Sequence, residues 1–372
     1  MADVGLVKTQ YYTFAAPPQE LVLECGARLG PITVAYETYG RLNAAGDNAI
    51  LVLHALTGSA HVAGWHQIGE RTPGWWDPMV GPGRPLDTER YFVICSNVLG
   101  GCYGTTGPSS LNPATGKPYG LDFPVITIRD MVKVQKALLD SLGVKRLVTA
   151  IGGSMGGMQA LEWGIMYPDF VDSIIVIAAP GRTSAMNIAF NTVQREAIYM
   201  DPGWCGGNYY GTPGPARGLA LARMIGTITY KSDESWSFKF ARAVNGGLEN
   251  LFRLDGRFEV ENYLYYQGRK LVERFDANCY LYLTKAMDLH DVSRGFPSYE
   301  DALARIKCPC LTIGISSDIL FPTYQVKEIV DIIHKVGGRA VYRELHSPYG
   351  HDAFLIEFAQ LGAIVREFLA EI

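Results

Sequence analysis

Apolar positions follow three different rhythms along the chain. The segment "ELVLECGARLGPITVAYETYGRL" at 20–42 places short apolar runs on either side of a Gly-Pro pair, the pattern of antiparallel hairpin strands. Five dense apolar runs follow, "NAILVLHAL" at 48–56, "RYFVICSNV" at 90–98, "RLVTAIGG" at 146–153, "VDSIIVIAA" at 171–179 and "CPCLTIGIS" at 308–316. Such runs belong to strands covered on both faces, as in a parallel sheet. The stretch "IRDMVKVQKALLDSLGV" between two of them has helical periodicity, which gives the strand–helix–strand alternation of an α/β sheet. From about 184 to 299 that alternation stops, and helix-like segments rich in Tyr, Arg and Gly take over, among them "GPARGLALARMIGTITYKS". Strand-like runs resume at 308, and the chain closes on the helical pattern "LGAIVREFLAEI". The pattern predicts an α/β core over 1–183 and 300–372, a mostly parallel central sheet flanked by helices, interrupted by an inserted helical module at 184–299.

Composition narrows the class of function. With 372 residues, 48% of them hydrophobic and 19% charged, the chain has the make-up of a globular protein large enough for a substantial core. The formal net charge is −4 and no Lys/Arg run occurs, so a basic field for nucleic acid is absent. Seven cysteines at irregular spacing argue against a disulfide framework and for a reducing compartment. The first residues lack a basic segment followed by an apolar one, and no 18-residue apolar run occurs. A cytoplasmic protein without membrane contact is the expectation. Cys308-Pro-Cys310 lacks a second Cys or His pair at ligand spacing and reads as the start of a buried strand, so no metal and no permanently bound cofactor are expected.

Candidate chemistry centres on "AIGGSMGGMQALEW" at 150–163, where an apolar strand-like run gives way to a helical pattern at Ser154. A sharp strand-to-helix corner forces its central residue into a rarely occupied backbone region, and Gly152 and Gly156 remove the side chains that would collide there. This is the G-x-S-x-G elbow that presents a serine hydroxyl at the tip of a sheet. An ordinary turn with a capping serine would look similar, so the partners of the serine decide. A serine nucleophile needs a base and a group that orients the base. In the order Ser, acid, His, Asp318 follows the run at 311–316, and His351 lies in a Pro-Gly loop after a strand near 340–345. His346 is the competing base, closer to that strand. Donors for an oxyanion are expected from the backbone amides of Met155, after the nucleophile, and Leu56, in the loop after an early strand; His54 in that loop reads as structural.

Beyond the elbow, "VAYETYGRLN", "HALTGSAHVAG", "GWWDPMVGPGRPLDTERYFVICSNVLGG", "GTTGPSSLNPATGKPYG", "GLALARMIGTITY", "RFDANCYLYLTKAMD" and "GHDAFL" together resemble the α/β-hydrolase-fold homoserine O-acetyltransferases of methionine biosynthesis, over nearly the whole chain. The resemblance implies Ser154 as the acyl-accepting nucleophile, His351 as general base and acid, and Asp318 as its orienter. It also implies that Arg223 and Asp352 bind the amino-acid substrate, that acetyl-CoA is the co-substrate, and that the module at 184–299 is a lid through which a homodimer forms. Leu320 occupies a position that the resemblance links to acyl specificity, an arginine there accompanying succinyl-CoA. Ile319 and Tyr103 depart from the family pattern, which commonly has tryptophan and a basic residue respectively. Succinyl-CoA as donor, serine or deacetylcephalosporin C as acceptor, and plain ester hydrolysis are the alternatives. A binding or scaffold protein on the same fold is disfavoured because all three triad positions are filled.

Overall fold

The computed structural model describes residues 4–372. Eight strands form the main sheet: β1 (Gln10–Phe14), β2 (Ile32–Tyr39), β3 (Ala49–Leu53), β4 (Phe92–Ser96), β5 (Leu147–Gly153), β6 (Ile174–Ile177), β7 (Cys310–Ile315) and β8 (Ala340–Leu345). Their spatial order is β1-β2-β4-β3-β5-β6-β7-β8. Only the pairs made by β2, with β1 and with β4, are antiparallel; every pair from β4 through β3 to β8 is parallel.

The dense apolar runs are explained by burial on two faces. In β3, Ala49, Leu51 and Leu53 point into one hydrophobic cluster while Ile50 and Val52 point into the other, and all five are essentially inaccessible. The strands are shorter than the runs that predicted them, because loop residues next to a strand, such as His54 and Leu56 after β3, are buried as well.

Among the described residues ten α-helices accompany the strands. α1 (Ile128–Ser141) starts on a capping box in which the Thr127 hydroxyl accepts from the Asp130 amide and the Asp130 carboxylate accepts from the Thr127 amide. α2 (Met155–Met166) follows β5 directly. Between β6 and β7 the chain is helical throughout its regular elements, with α3 (Ala185–Tyr199), α4 (Ala216–Thr229), α5 (Asp233–Phe240), α6 (Glu259–Val272), α7 (Ala277–Asp288) and α8 (Tyr299–Leu303). α4 packs between α3 and α6. α9 (Thr323–Lys335) and α10 (Phe358–Ala370) complete the chain.

One buried ion network ties the return of this helical stretch to the core. The Arg129 guanidinium on α1 pairs with Glu162 of α2 at 3.0 and 3.1 Å and with Glu24 at 3.2 Å, and donates to the carbonyls of Val292 and Arg294. Arg294 closes the network on Glu24. Cys310 begins β7, with Cys308 and Pro309 just before it, so the Cys-Pro-Cys segment leads into a buried strand as expected, and all seven cysteines are free. Among the described residues no helix is long and apolar enough to cross a membrane.

Candidate active site

Ser154 joins β5 to α2 with φ 59° and ψ −125°, a conformation that a non-glycine residue adopts only under strain of about 1–3 kcal/mol. The glycines explain how the corner is tolerated. A Cβ on Gly152 would lie 2.5 Å from the Leu53 carbonyl oxygen and 2.6 Å from the Gly156 carbonyl carbon, and a Cβ on Gly156 would run into the same Leu53 carbonyl. The corner therefore presses against the end of β3, which brings the loop after β3 to the serine.

His351 lies in a short 3-10 turn, Gly350–Leu355, rather than in an irregular loop, and is buried. Its Nδ1 is 2.7 Å from Asp318 Oδ2, while Asp318 Oδ1 accepts from the amides of Leu320 and Phe321 at 2.8 and 3.0 Å. With every oxygen engaged by donors, Asp318 fixes the imidazole with its Nδ1 proton toward the carboxylate. Nε2 is buried without a hydrogen-bond partner among the described residues, and His351 lines the same cavity as Ser154. Burial alone would lower the pKa of this imidazole, but the Asp318 carboxylate in contact with it, and Asp352 beyond, outweigh burial and leave it above the ordinary histidine value. His346 is 75% exposed and faces Glu344 at 3.7 Å, so it is no rival base.

The loop after β3 brings Ala55, Leu56 and Thr57 to the cavity wall. His54 holds this loop: its Nδ1 bonds the Ala55 carbonyl at 2.8 Å and its Nε2 accepts from the Val98 amide at 3.1 Å. Complete burial pushes its pKa down to about 4, consistent with a neutral structural ring. Met155 opens α2, and among the described residues neither its amide nor that of Leu56 donates a hydrogen bond. Two free amides beside the serine, one at a helix N-terminus, suit a developing negative charge.

Arg223 and Asp352 line the same cavity. The Arg223 guanidinium lies 5.5 Å from the centroid of the Tyr230 ring, and among the described residues no carboxylate pairs with it. Asp352 is paired: Lys231 Nζ sits 2.8 Å from its Oδ2, with both side chains largely buried. Lys231 was not foreseen, since it is 121 positions from Asp352 and nothing in "TYKS" marks it. Leu320 also lines the cavity, and its carbonyl accepts from Asn187 of α3 at 2.7 Å, whereas Ile319 is half exposed. Tyr103 receives a hydrogen bond of 2.6 Å from Arg274, which also donates to the Thr57 carbonyl at 2.9 Å. A basic group thus stands beside Tyr103 in spite of the departure there, supplied from the turn before α7.

A protein-family model for the alpha/beta hydrolase fold matches residues 48–358. A homoserine O-acetyltransferase of Moorella thermoacetica is 68% identical over 372 residues, covering 100% of this chain and 98% of that one. Among solved structures, homoserine O-acetyltransferase from Bacillus anthracis superposes with a TM-score of 0.91 at 32% identity, covering 98% of each chain. The esterase E22 superposes with a TM-score of 0.90, also at 32% identity, over 98% of this chain and 100% of that one.

Proposed function

The chain belongs to the homoserine O-acetyltransferases, acyltransferases of the α/β-hydrolase fold, and from that premise we propose that it moves the acetyl group of acetyl-CoA to the hydroxyl of L-homoserine through an acyl-Ser154 intermediate, a step of methionine biosynthesis. The observation that carries this reading is the convergence on one cavity of Ser154, the His351–Asp318 pair and an arginine with no carboxylate partner among the described residues.

In the first half-reaction His351 Nε2 takes the Ser154 proton, the serine oxygen attacks the thioester carbonyl, and the amides of Leu56 and Met155 hold the oxyanion. Collapse of the tetrahedral adduct expels CoA, which leaves with the proton returned from His351. In the second, His351 deprotonates the homoserine hydroxyl, which attacks the acyl-serine and regenerates the enzyme. Arg223 holds the substrate carboxylate. Asp352 receives the ammonium on the oxygen that Lys231 leaves open. An apolar Leu320 offers no counter-charge to a succinyl carboxylate, whose unpaired burial costs several kcal/mol, so acetyl-CoA is the donor.

Esterase E22 makes ester hydrolysis the specific alternative, since it is as similar in fold as the transferase structure. The two readings separate at the acyl-enzyme, where either water or homoserine takes the acetyl group. Thiol release from acetyl-CoA, measured with and without homoserine, tests the reading: transfer requires strong stimulation by homoserine and formation of O-acetylhomoserine, with succinyl-CoA and serine poor. Equal thiol release without acceptor would mark a hydrolase.

The helices between β6 and β7 act as a lid and as the surface of a homodimer. Met186, Val193 and Met200 on or beside α3, together with Leu221 and Ile228 on α4, are exposed, more apolar surface than a cover requires. A monomer of full activity by light scattering at micromolar concentration would remove the dimer.

A further inference from the structure

Glu37 lies in the middle of β2 with its side chain 1% exposed. His61 Nδ1 is 2.9 Å from its Oε2, and His66 Nε2 is 2.7 Å from its Oε1. The ligand-type atoms of the three residues all lie within 4.8 Å of one another. Two further groups fix the carboxylate. Tyr39 Oη accepts from the amides of Val62 and Ala63, so its own proton goes to Glu37 Oε2 at 2.8 Å. Thr9 Oγ1 donates to Oε1 at 2.9 Å.

This buried carboxylate has no lysine or arginine partner among the described residues; its hydrogen-bond partners are His61, His66, Tyr39 and Thr9. The centroids of the two imidazole rings lie 3.7 Å apart, with their planes tilted by 33°. His61 Nε2 is buried and has no hydrogen-bond partner among the described residues, so the ring can move its proton from Nδ1 to Nε2 when Nδ1 turns to an ion. Two imidazoles and a carboxylate are the donor set of zinc-type ions. Tetrahedral donors about 2 Å from such an ion lie roughly 3.3 Å apart, so the present separations of 2.7 and 2.9 Å would open by about half an ångström. Tyr39 and Thr9 already orient the carboxylate, as outer partners do in metal sites.

We propose that Glu37, His61 and His66 form a binding site for one divalent transition-metal ion of the zinc type. The ion fastens the loop after β3 to β2. A fourth position is left for water on the side of His66, whose side chain is 41% exposed and gives a route of entry. The sequence alone predicts no metal, because Cys308-Pro-Cys310 lacks a second Cys or His pair at ligand spacing, whereas these donors join His61-x4-His66 to a residue on β2. The proposed site does not contain the Ser154 triad and enters no step of the acyl transfer.

The test uses the full chain, stripped with a chelator and titrated with Zn²⁺ by calorimetry, with metal content checked by elemental analysis after gel filtration. One equivalent should bind with a micromolar or tighter dissociation constant, and zinc should raise the melting temperature. Tyr39→Phe should weaken binding about 10- to 100-fold, and His66→Ala by at least about 100-fold. His66→Ala lies on the exposed side and should fold, which circular dichroism checks, while losing the zinc-dependent rise in melting temperature. Absence of stoichiometric binding to the wild type overturns the proposal and leaves a hydrogen-bonded carboxylate. So does undiminished binding in a His61→Ala/His66→Ala double variant, which would assign the zinc to the exposed Cys25 or Cys205 instead.

Discussion

In the proposed mechanism His351 sets the pH behaviour of the site, because it acts as a base only when neutral. Its folded pKa lies above the ordinary value, so kcat/KM should rise with pH through that raised value. Asp318→Asn removes the contribution that opposes burial; burial then lowers the pKa, and the acid limb moves to lower pH while kcat falls about 10,000-fold. An acid limb that stays in place would show that another group titrates. Stability carries the same sign: the folded histidine holds its proton more tightly than an unfolded one, so this contribution is complete below pH about 6.5 and is lost as pH rises through the folded value. At Arg223 the expectation concerns one half-reaction. Arg223→Ala should lower kcat/KM for homoserine roughly 10- to 150-fold with acetylation of Ser154 nearly unchanged. Loss of acetylation with an unaltered homoserine KM would assign Arg223 to the CoA side. The placement of Ser154, Asp318 and His351 was legible in the sequence because each falls just after a strand, in an order that one topology brings together. Lys231 and Arg274 were not, since their partners Asp352, Thr57 and Tyr103 are defined only by tertiary contact.

Among the elements, the strands of the parallel sheet were legible and their ends were not. Runs such as 48–56 and 171–179 contracted to Ala49–Leu53 and Ile174–Ile177, because apolar loop residues next to a strand are buried as deeply as the strand itself. The Arg129 network was invisible in sequence, although it joins α1, α2 and the segment before α8. Burial pushes the Glu162 carboxyl up to about 7 in spite of the adjoining Arg129 guanidinium. Arg129→Ala leaves that carboxylate alone, a loss of about 3–5 kcal/mol when it is ionised. A protonated Glu162 is tolerated better, so the destabilisation should be larger at pH 8 than at pH 6. Denaturant unfolding at the two pH values checks this, and a loss independent of pH would mean that the packing of the arginine stem matters more than its charge.

For the molecule as a whole, the sheet, the glycine corner and the inserted helices serve one arrangement: a strained serine at the end of β5, a histidine held by the turn after β8, and a cavity with α3 and α4 residues in its walls. The transferase reading requires that this arrangement first take the acyl group itself and then protect it from water until the acceptor arrives. Intact-protein mass spectrometry of the purified chain mixed with acetyl-CoA alone tests this most directly. One acetyl adduct should appear on the wild type, disappear when homoserine is added, and be absent from Ser154→Ala. An unmodified wild type that still forms O-acetylhomoserine, or a Ser154→Ala variant with unimpaired turnover, would contradict the acyl-serine mechanism.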